Sequence, residues 1–332
     1  MVYPRNVKSV VCEGQGGTDV LGIGEVPAPE ASGGRVRVVV RAAALNRADL
    51  LQRRGLYPPP PGAPHRLGLE CAGVVDDVGD GARGIRPGDR VMALVAGGGQ
   101  SELVAAHQGS LIAVPEHFSD TEAGAFPEVF LTAHLNLFLL GGLEPGATAL
   151  VHGGSGGVGT AAIALATEAG ARVLVTAGSD ERCRRCRDLG AVLAVNYRET
   201  DFVSAALEGT DGRGVDVLLD CVGGAYLERN LRALAPDGVL VVIGLGGGPT
   251  GELDLARMLA RRLRVIGSTL RGLSDDRKGA IVASFVERFG AALEAGRLRP
   301  VIDSVYPMER VAEAHRRLAS GEAFGKVVLT IP

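Results

Sequence analysis

The sequence predicts an α/β chain built on a six-stranded, doubly wound parallel sheet, accompanied by a second, β-rich domain. Three observations predict it. A short apolar run, Ala149–Val151, breaks into the glycine-rich turn Gly154-x-Gly156-x-x-Gly159 and then into an alanine-rich helical stretch, Thr160–Ala169. Five further apolar runs, Arg172–Thr176, Leu193–Asn196, Val215–Asp220, Gly238–Ile243 and Arg264–Ser268, alternate with helical patterns. The first third of the chain, by contrast, is rich in strand-like runs and Gly/Pro turns and poor in helical periodicity.

In chain order, Lys8–Cys12, Arg35–Ala44, Leu69–Val78, Asp89–Ala93 and Ser101–Ala105 are predicted strands of an irregular, mostly antiparallel domain. Ser119 with Glu122 has the capping-box spacing, which opens a helical region over Thr121–Leu140 with a break at Pro127. The helices between the parallel strands fall at Asp180–Leu189, Asp201–Leu207, Ala225–Leu234 and Glu252–Ala260. After Ser268 come an amphipathic helix (Asp276–Ala295), a strand (Val301–Tyr306), a helix (Met308–Ser320) and a strand (Gly325–Ile331). A complete six-stranded sheet has no place for these. They are therefore assigned back to the first domain, giving domains at 1–123 with 271–332 and at 124–270, and an active site in the cleft between them.

The glycine turn has the layout of a dinucleotide site. Gly154 permits the tight turn, Gly156 allows backbone to approach a pyrophosphate, and Gly159 allows helix and strand to pack closely. Ser155, Gly157 and Val158 complete the loop, and the helix N-terminus offers unpaired N–H groups to phosphate oxygens. A carboxylate selective for an unphosphorylated ribose belongs at the end of the second strand, but small residues, Gly178 and Ser179, stand there. Ser179 can donate a hydroxyl and Arg182 charge-assisted bonds to a 2′-phosphate, so NADPH is favoured. Arg182 also has the plainer reading of a solvated helix arginine beside Asp180 and Glu181.

With 332 residues, 46% of them hydrophobic and 22% charged, the chain has the composition of a soluble globular protein. A net charge of −3 offers no field for nucleic acid. No run reaches the ~18–20 apolar residues of a membrane span, and Met1–Cys12 lacks the core of a signal peptide, so a cytoplasmic location is expected. Five scattered cysteines make no disulfide framework. Cys183 and Cys186 have a ligand-like spacing but no second pair, which favours a structural role.

Several separate motifs occur together in order: Ala44-Leu-Asn46-Arg-Ala-Asp49-Leu, Gly55-x-Tyr57 before a proline run, Leu67-Gly-Leu-Glu70, Pro87-Gly-Asp-x-Val91, Ser155–Thr160, Thr176–Ser179, Asp220–Gly224 and Gly325-Lys-Val-Val-Leu329. In these the chain resembles the medium-chain dehydrogenase/reductase superfamily, in its zinc-free, zeta-crystallin-like quinone oxidoreductase branch. The resemblance implies a GroES-like β-rich substrate domain with an inserted six-stranded doubly wound Rossmann domain, reduced nicotinamide as donor, and a homodimer. Zinc relatives carry a Cys near Asn46, a His where Leu69 stands and a four-Cys lobe; an amide and a leucine are not zinc ligands. Without a Lewis acid, alcohol oxidation is disfavoured, and reduction of an already activated acceptor, a quinone or enone, is favoured, by hydride or by single electrons.

The resemblance also assigns Tyr57 to the loop over the nicotinamide, Thr132 near the cofactor, and Tyr197 against the 2′-phosphate beside Arg182. Tyr57 is the candidate donor to a developing oxyanion, its alternative being an anchor for the proline loop. Asn46 is a second catalytic candidate. Asn46 and Asp49 would hold the nicotinamide ribose or the loop, and Asn46 has the alternative of a loop amide satisfying backbone groups. The turns Cys221-Val222-Gly223, Gly244-Leu245-Gly246 and Thr269-Leu270-Arg271 lie at the carboxyl ends of the fourth, fifth and sixth strands, where such sheets bind ligands. His152 is read as a packing residue. Competing functions are a 2-enoyl thioester or enone reductase on the same scaffold and a non-enzymatic NADPH-binding sensor.

Overall fold

The computed structural model describes residues 6–332; the first five residues of the stretch read as lacking a signal-peptide core lie outside them. The chain forms two compact units, one of residues 1–131 and 270–332, the other Thr132–Thr269.

The first unit holds two sheets, one of two antiparallel strands and one of seven largely antiparallel strands. Its strands and helices are β1 (Asn6–Cys12), β2 (Leu21–Pro27), β3 (Arg35–Ala44), α1 (Arg47–Arg53), β4 (Glu70–Val78), β5 (Arg90–Leu94), β6 (Leu103–His107), β7 (Leu111–Ala113), α2 (Asp120–Gly124) and α3 (Pro127–His134). Strand β3 organises it. The run Val36, Val38, Val40 alternates inward in the period-2 pattern of a half-buried strand; β4 pairs along β3, while β6 pairs its residues 35–39 and the last strand of the chain its residues 42–44. Residues that sequence reasoning left without an element form β2, β7 and α1. Seven-residue α1 has too few turns to show helical periodicity above its surroundings. The capping box at Ser119 forms: Ser119 N donates to Glu122 Oε2 at 2.9 Å while Glu122 N donates back to Ser119 Oγ.

The second unit holds β8 (Thr148–His152), α4 (Gly157–Glu168), β9 (Arg172–Ala177), α5 (Asp180–Asp188), β10 (Leu193–Asn196), α6 (Phe202–Glu208), β11 (Val215–Asp220), α7 (Leu227–Ala233), β12 (Leu234–Val242), α8 (Leu255–Arg261) and β13 (Arg264–Gly267), after a π-helical turn over Leu135–Leu140. Its six strands run in the order β10-β9-β8-β11-β12-β13, every pair parallel. This is the doubly wound order with its switch between β8 and β11. Leu150, Leu174, Leu218 and Leu240 fill one face of it with Phe202. Side-chain caps start α5, α6 and α8: Ser179, Asp201 and Asp254 each accept from an N–H in the first turn, each worth about 1 kcal/mol.

The chain then returns to the first unit as α9 (Asp275–Glu294), β14 (Ile302–Pro307), α10 (Val311–Ala319) and β15 (Lys326–Thr330). β15 pairs antiparallel with β3 and parallel with β14, so both chain segments of the first unit contribute to its seven-stranded sheet. No helix among the described residues is long and apolar enough to cross a membrane.

Candidate active site

In the second unit the glycine turn follows β8, at the switch. Its left-handed residue is Gly153 (φ +74°). Gly154 is needed for a different reason: a Cβ there would lie 2.5 Å from Cβ of Val175 on β9. Gly159 presses against the turn, since a Cβ would sit 2.3 Å from Gly153 O, and so it allows the close helix packing read from the motif. Gly156 N-caps α4, and a Cβ on it would meet nothing nearer than 3.4 Å; with Ser155, Gly157 and Val158 it forms the partly exposed lip of the loop. The first N–H groups of a helix have no acceptor within it, so this lip fits a pyrophosphate.

Behind the lip lies a buried polar chain. Gly153 N donates to Thr176 Oγ1, which lies 3.0 Å from His152 Nδ1, and His152 Nε2 lies 2.8 Å from Asn230 Oδ1. Burial pushes the His152 imidazole down to about 4, keeping it neutral. Its ring also packs edge-on against Phe202 and Tyr226, which is the packing role expected of it.

At the end of β9, Gly178 is buried beneath the Tyr197 hydroxyl, which would lie 3.0 Å from a Cβ there. Ser179 caps α5 by accepting from Arg182 N at 3.4 Å. Gly178, Ser179, Arg182 and Tyr197 thus share one corner of the sheet edge. Across the switch, Asp220 takes Val222 N at 2.7 Å and Gly223 N at 3.0 Å on its two oxygens, fixing the turn that carries exposed Cys221. That turn is tied to Gly244–Gly248 by Gly246 N to Cys221 O and Gly247 N to Val222 O. Leu245 and Thr269 are exposed, Leu270 is buried, and Thr132 is partly buried with its carbonyl accepting from Asn136 Nδ2.

The first unit assembles the other candidates. Asn46, two residues past the end of β3, N-caps α1, Glu70 begins β4, and Lys326 begins β15. Because β15 lies beside β3, the Lys326 ammonium reaches Leu45 O (2.9 Å), Asn46 Oδ1 (2.6 Å) and Glu70 Oε1 (2.7 Å). Asn46 Nδ2 donates to the same Glu70 oxygen, and the other oxygen accepts from Glu128 N at the start of α3. Asp49 is fully buried and accepts from Asn46 N and Gly68 N, which makes it a holder of the loop; burial still pushes its carboxyl up to about 6. Arg271 is buried, donates to Ala96 O at 2.8 Å and to Tyr57 O at 3.4 Å, and lies over the Tyr57 ring. Tyr57 is partly buried, and burial, reinforced by Glu128, pushes its phenol up.

Glu70, Glu128, Lys326 and Lys278 were not singled out from sequence, and only Glu70 and Lys326 lie in motifs quoted above. Their partners lie up to 281 positions away, so no local pattern could link them. Gly153 could have been found from the Gly-Gly doublet that opens the turn.

The zinc-binding dehydrogenase family matches residues 157–288, and the alcohol dehydrogenase GroES-like domain matches residues 32–142. Human quinone oxidoreductase is 30% identical over 95% of this chain and 95% of its own length. The chain belongs to the medium-chain dehydrogenase/reductase superfamily. Two solved structures superimpose at a TM-score of 0.86: mycobacterial Rv1454c complexed with NADPH (28% identical, covering 97% of this chain and 99% of that one) and CurK enoyl reductase (27%, 99% and 100%). A phenolphthiocerol/phthiocerol polyketide synthase of Mycobacterium tuberculosis is 33% identical over 96% of this chain, but the chain spans only 14% of that protein's length.

Members of a zinc-binding dehydrogenase family imply a zinc ion, and the residues present do not fit one. Leu69 is buried hydrocarbon, both polar atoms of the Asn46 amide are engaged, and Glu70 is paired with an ammonium. Among the described residues, no group of three or more His, Cys, Asp or Glu is placed to hold a metal. Cys183 and Cys186 are buried on α5, where burial pushes both thiols up, Cys186 to about 12. A dinucleotide does fit, on the lip and cradle described above.

Proposed function

We propose that this chain is an NADPH-dependent reductase of quinones and related conjugated carbonyls, of the zinc-free quinone oxidoreductase branch. The observation that carries the reading is the knot of Lys326, Glu70 and Asn46, in which a protein ammonium is held by three oxygens beside buried Leu69. With no ligand set for a Lewis acid there, the acceptor must be one whose own conjugation spreads arriving charge.

The nicotinamide, when bound, supplies hydride. Ser155 to Val158 offer backbone N–H groups to the pyrophosphate, with Gly154, Gly156 and Gly159 keeping side chains out of the way. The corner of Gly178, Ser179, Arg182 and Tyr197 has donors for a 2′-phosphate and, at the end of β9, small residues in place of the carboxylate that selects an unphosphorylated ribose, although Asp180 and Glu181 follow in the first turn of α5. The turns 221–223, 244–246 and 269–271 border the cofactor at the strand ends. Thr132 supports it, while Asn46, its amide engaged by Glu70 and Lys326, and Asp49 secure the loop between α1 and Gly68. Tyr57 donates its hydroxyl to the oxygen that gains charge; a phenol pushed up by burial stays protonated and so orients the acceptor rather than ionising. The open edge of β13, with Leu255, Leu259 and Val265 exposed beside it, supports a homodimer formed by a second copy of the chain. The proposed location is cytoplasmic.

Stopped-flow oxidation of NADPH by ortho- and para-quinones on chelator-treated protein tests the reading. Activity regained only with Zn²⁺ would overturn it. Tyr57→Phe should lower turnover about tenfold or more while leaving NADPH affinity unchanged, and an unchanged rate would reduce Tyr57 to a packing residue. The likeness to CurK enoyl reductase favours a second reading, an enoyl thioester reductase, which a parallel assay with an enoyl-CoA decides.

A further inference from the structure

The glycine turn is held from behind by one residue of the neighbouring strand. Thr176 on β9 accepts from Gly154 N on its carbonyl at 2.9 Å and from Gly153 N on its hydroxyl at 3.4 Å. Gly153 O in turn accepts from Gly156 N at 2.9 Å, and Gly156 N-caps α4. The direction of one buried hydroxyl therefore bears on where the lip of the turn stands. We propose that Thr176, His152 and Asn230 are positioning residues that set the glycine turn for the coenzyme's pyrophosphate: Asn230 fixes the His152 tautomer, and that tautomer fixes the direction of the Thr176 hydroxyl. The proposal rests on the dinucleotide reading above and places none of the three in contact with the coenzyme.

The three side chains form a chain of one-way hydrogen bonds inside the second unit. Asn230 on α7, Thr176 and His152 are 0%, 2% and 4% exposed, so each is bound to its protein partners and not to bulk water. Asn230 Oδ1 can only accept, and at 2.8 Å it requires the hydrogen to be on His152 Nε2. The imidazole is neutral, because burial, aided by the charge of Arg229, outweighs the Asn230 hydrogen bond. A neutral ring has a single N–H, so Nδ1 is bare and accepts the Thr176 O–H at 3.0 Å. With its hydrogen committed to His152, the Thr176 oxygen turns its lone pairs to Gly153 N–H. In the opposite tautomer Nδ1–H and Gly153 N–H would both donate to that oxygen, and the hydroxyl hydrogen would need another acceptor in a buried place. Phe202 and Tyr226 pack edge-on against the imidazole, with ring centroids 4.7 and 5.0 Å away, and hold its plane.

A turn needs such a hold when it is made of glycine. Gly153 sits at φ +74°, and the doublet it forms with Gly154 has the widest backbone freedom a chain can have. Ordering it before the coenzyme arrives removes that cost from binding.

Thr176→Val keeps the branched shape suited to a strand and removes the hydroxyl. It should weaken NADPH and NADH alike, by about five- to thirtyfold in fluorescence titration, with Thr176→Ser within about twofold of the parent. In turnover with a quinone, the KM for NADPH should rise in Thr176→Val while kcat stays within about twofold. Affinity for 2′-AMP, which carries a 2′-phosphate and no pyrophosphate, should be unmoved in calorimetry; an equal loss there would mean a damaged sheet edge and would overturn the proposal. On the parent itself, nitrogen-15 spectra of histidine-labelled protein near neutral pH should show His152, assigned by its disappearance in His152→Gln, as the Nε2–H tautomer. An Nδ1–H ring, or parental NADPH affinity in Thr176→Val, overturns the proposal. If Thr176→Val fails to fold, the tautomer of the parent decides. A parent that binds neither coenzyme overturns the dinucleotide reading and this role with it.

Discussion

Lys326→Met is the sharpest test of how the first unit is held together. The ammonium and the Glu70 carboxylate are 3% and 0% exposed as side chains and 2.7 Å apart, and the ammonium has two further oxygen partners. Methionine keeps the length of the stem but leaves Glu70 as a buried carboxylate with only the Asn46 amide and the Glu128 N–H. Removing one partner of a buried pair costs about 3–5 kcal/mol, which is a large share of the roughly 5–15 kcal/mol of a typical domain. Native-state hydrogen exchange suits the assay, because the chain has no tryptophan and two units need not unfold together. Where opening of the first unit governs exchange, protection in β3 and β15 should fall by roughly two to three and a half orders of magnitude.

Adding Glu70→Gln to Lys326→Met should restore much of the loss, since no buried charge is then left unpaired. Protection unchanged in the single variant, or a double variant no better than the single, would refute the reasoning.

Three other outcomes follow from the same structure. His152 has a folded value of about 4 against about 6.5 unfolded, so stability present above pH 6.5 is lost as pH falls toward 4; protection of β8 and β9, corrected for intrinsic rate, should drop by about 2 kcal/mol between pH 7.5 and pH 5, and equal protection would contradict it. Arg182→Ala should weaken NADPH about 10- to 100-fold and NADH hardly at all, measured by fluorescence titration, whereas equal weakening would remove the case for 2′-phosphate recognition. Leu255→Glu with Leu259→Glu should convert a dimer to monomer in analytical ultracentrifugation, and a parent that sediments as monomer would refute the edge-strand interface.

The alternation of buried strands and helices was legible because it is a local signal. Runs such as Val173–Val175 and Val217–Leu219 are apolar on both faces, as central parallel strands must be, and the caps at Ser179 and Asp201 mark helix starts within three residues. The same locality explains what was misassigned or overlooked. Gly153, Gly154 and Gly156 look alike in two successive glycine doublets, and only the approach of Val175 and the φ of each residue distinguish their tasks. Strand β2 has no buried residue, only half-buried and exposed ones, and short β7 has a single buried residue, so neither carries a clear period-2 pattern.

By itself, then, the sequence determined the architecture of the two units and the position of the nucleotide turn, because period, glycine placement and capping act over a few residues. Only the tertiary structure decided that Lys326 meets Glu70 and Asn46, that Asp49 is spent on backbone N–H groups, and that the Glu128 N–H donates to the second Glu70 oxygen. Those contacts join residues as many as 281 positions apart, and they exist because β15 closes against β3. Charge and hydrogen-bond complementarity act through space, and a linear pattern holds no record of which distant side chains a sheet will bring within 3 Å.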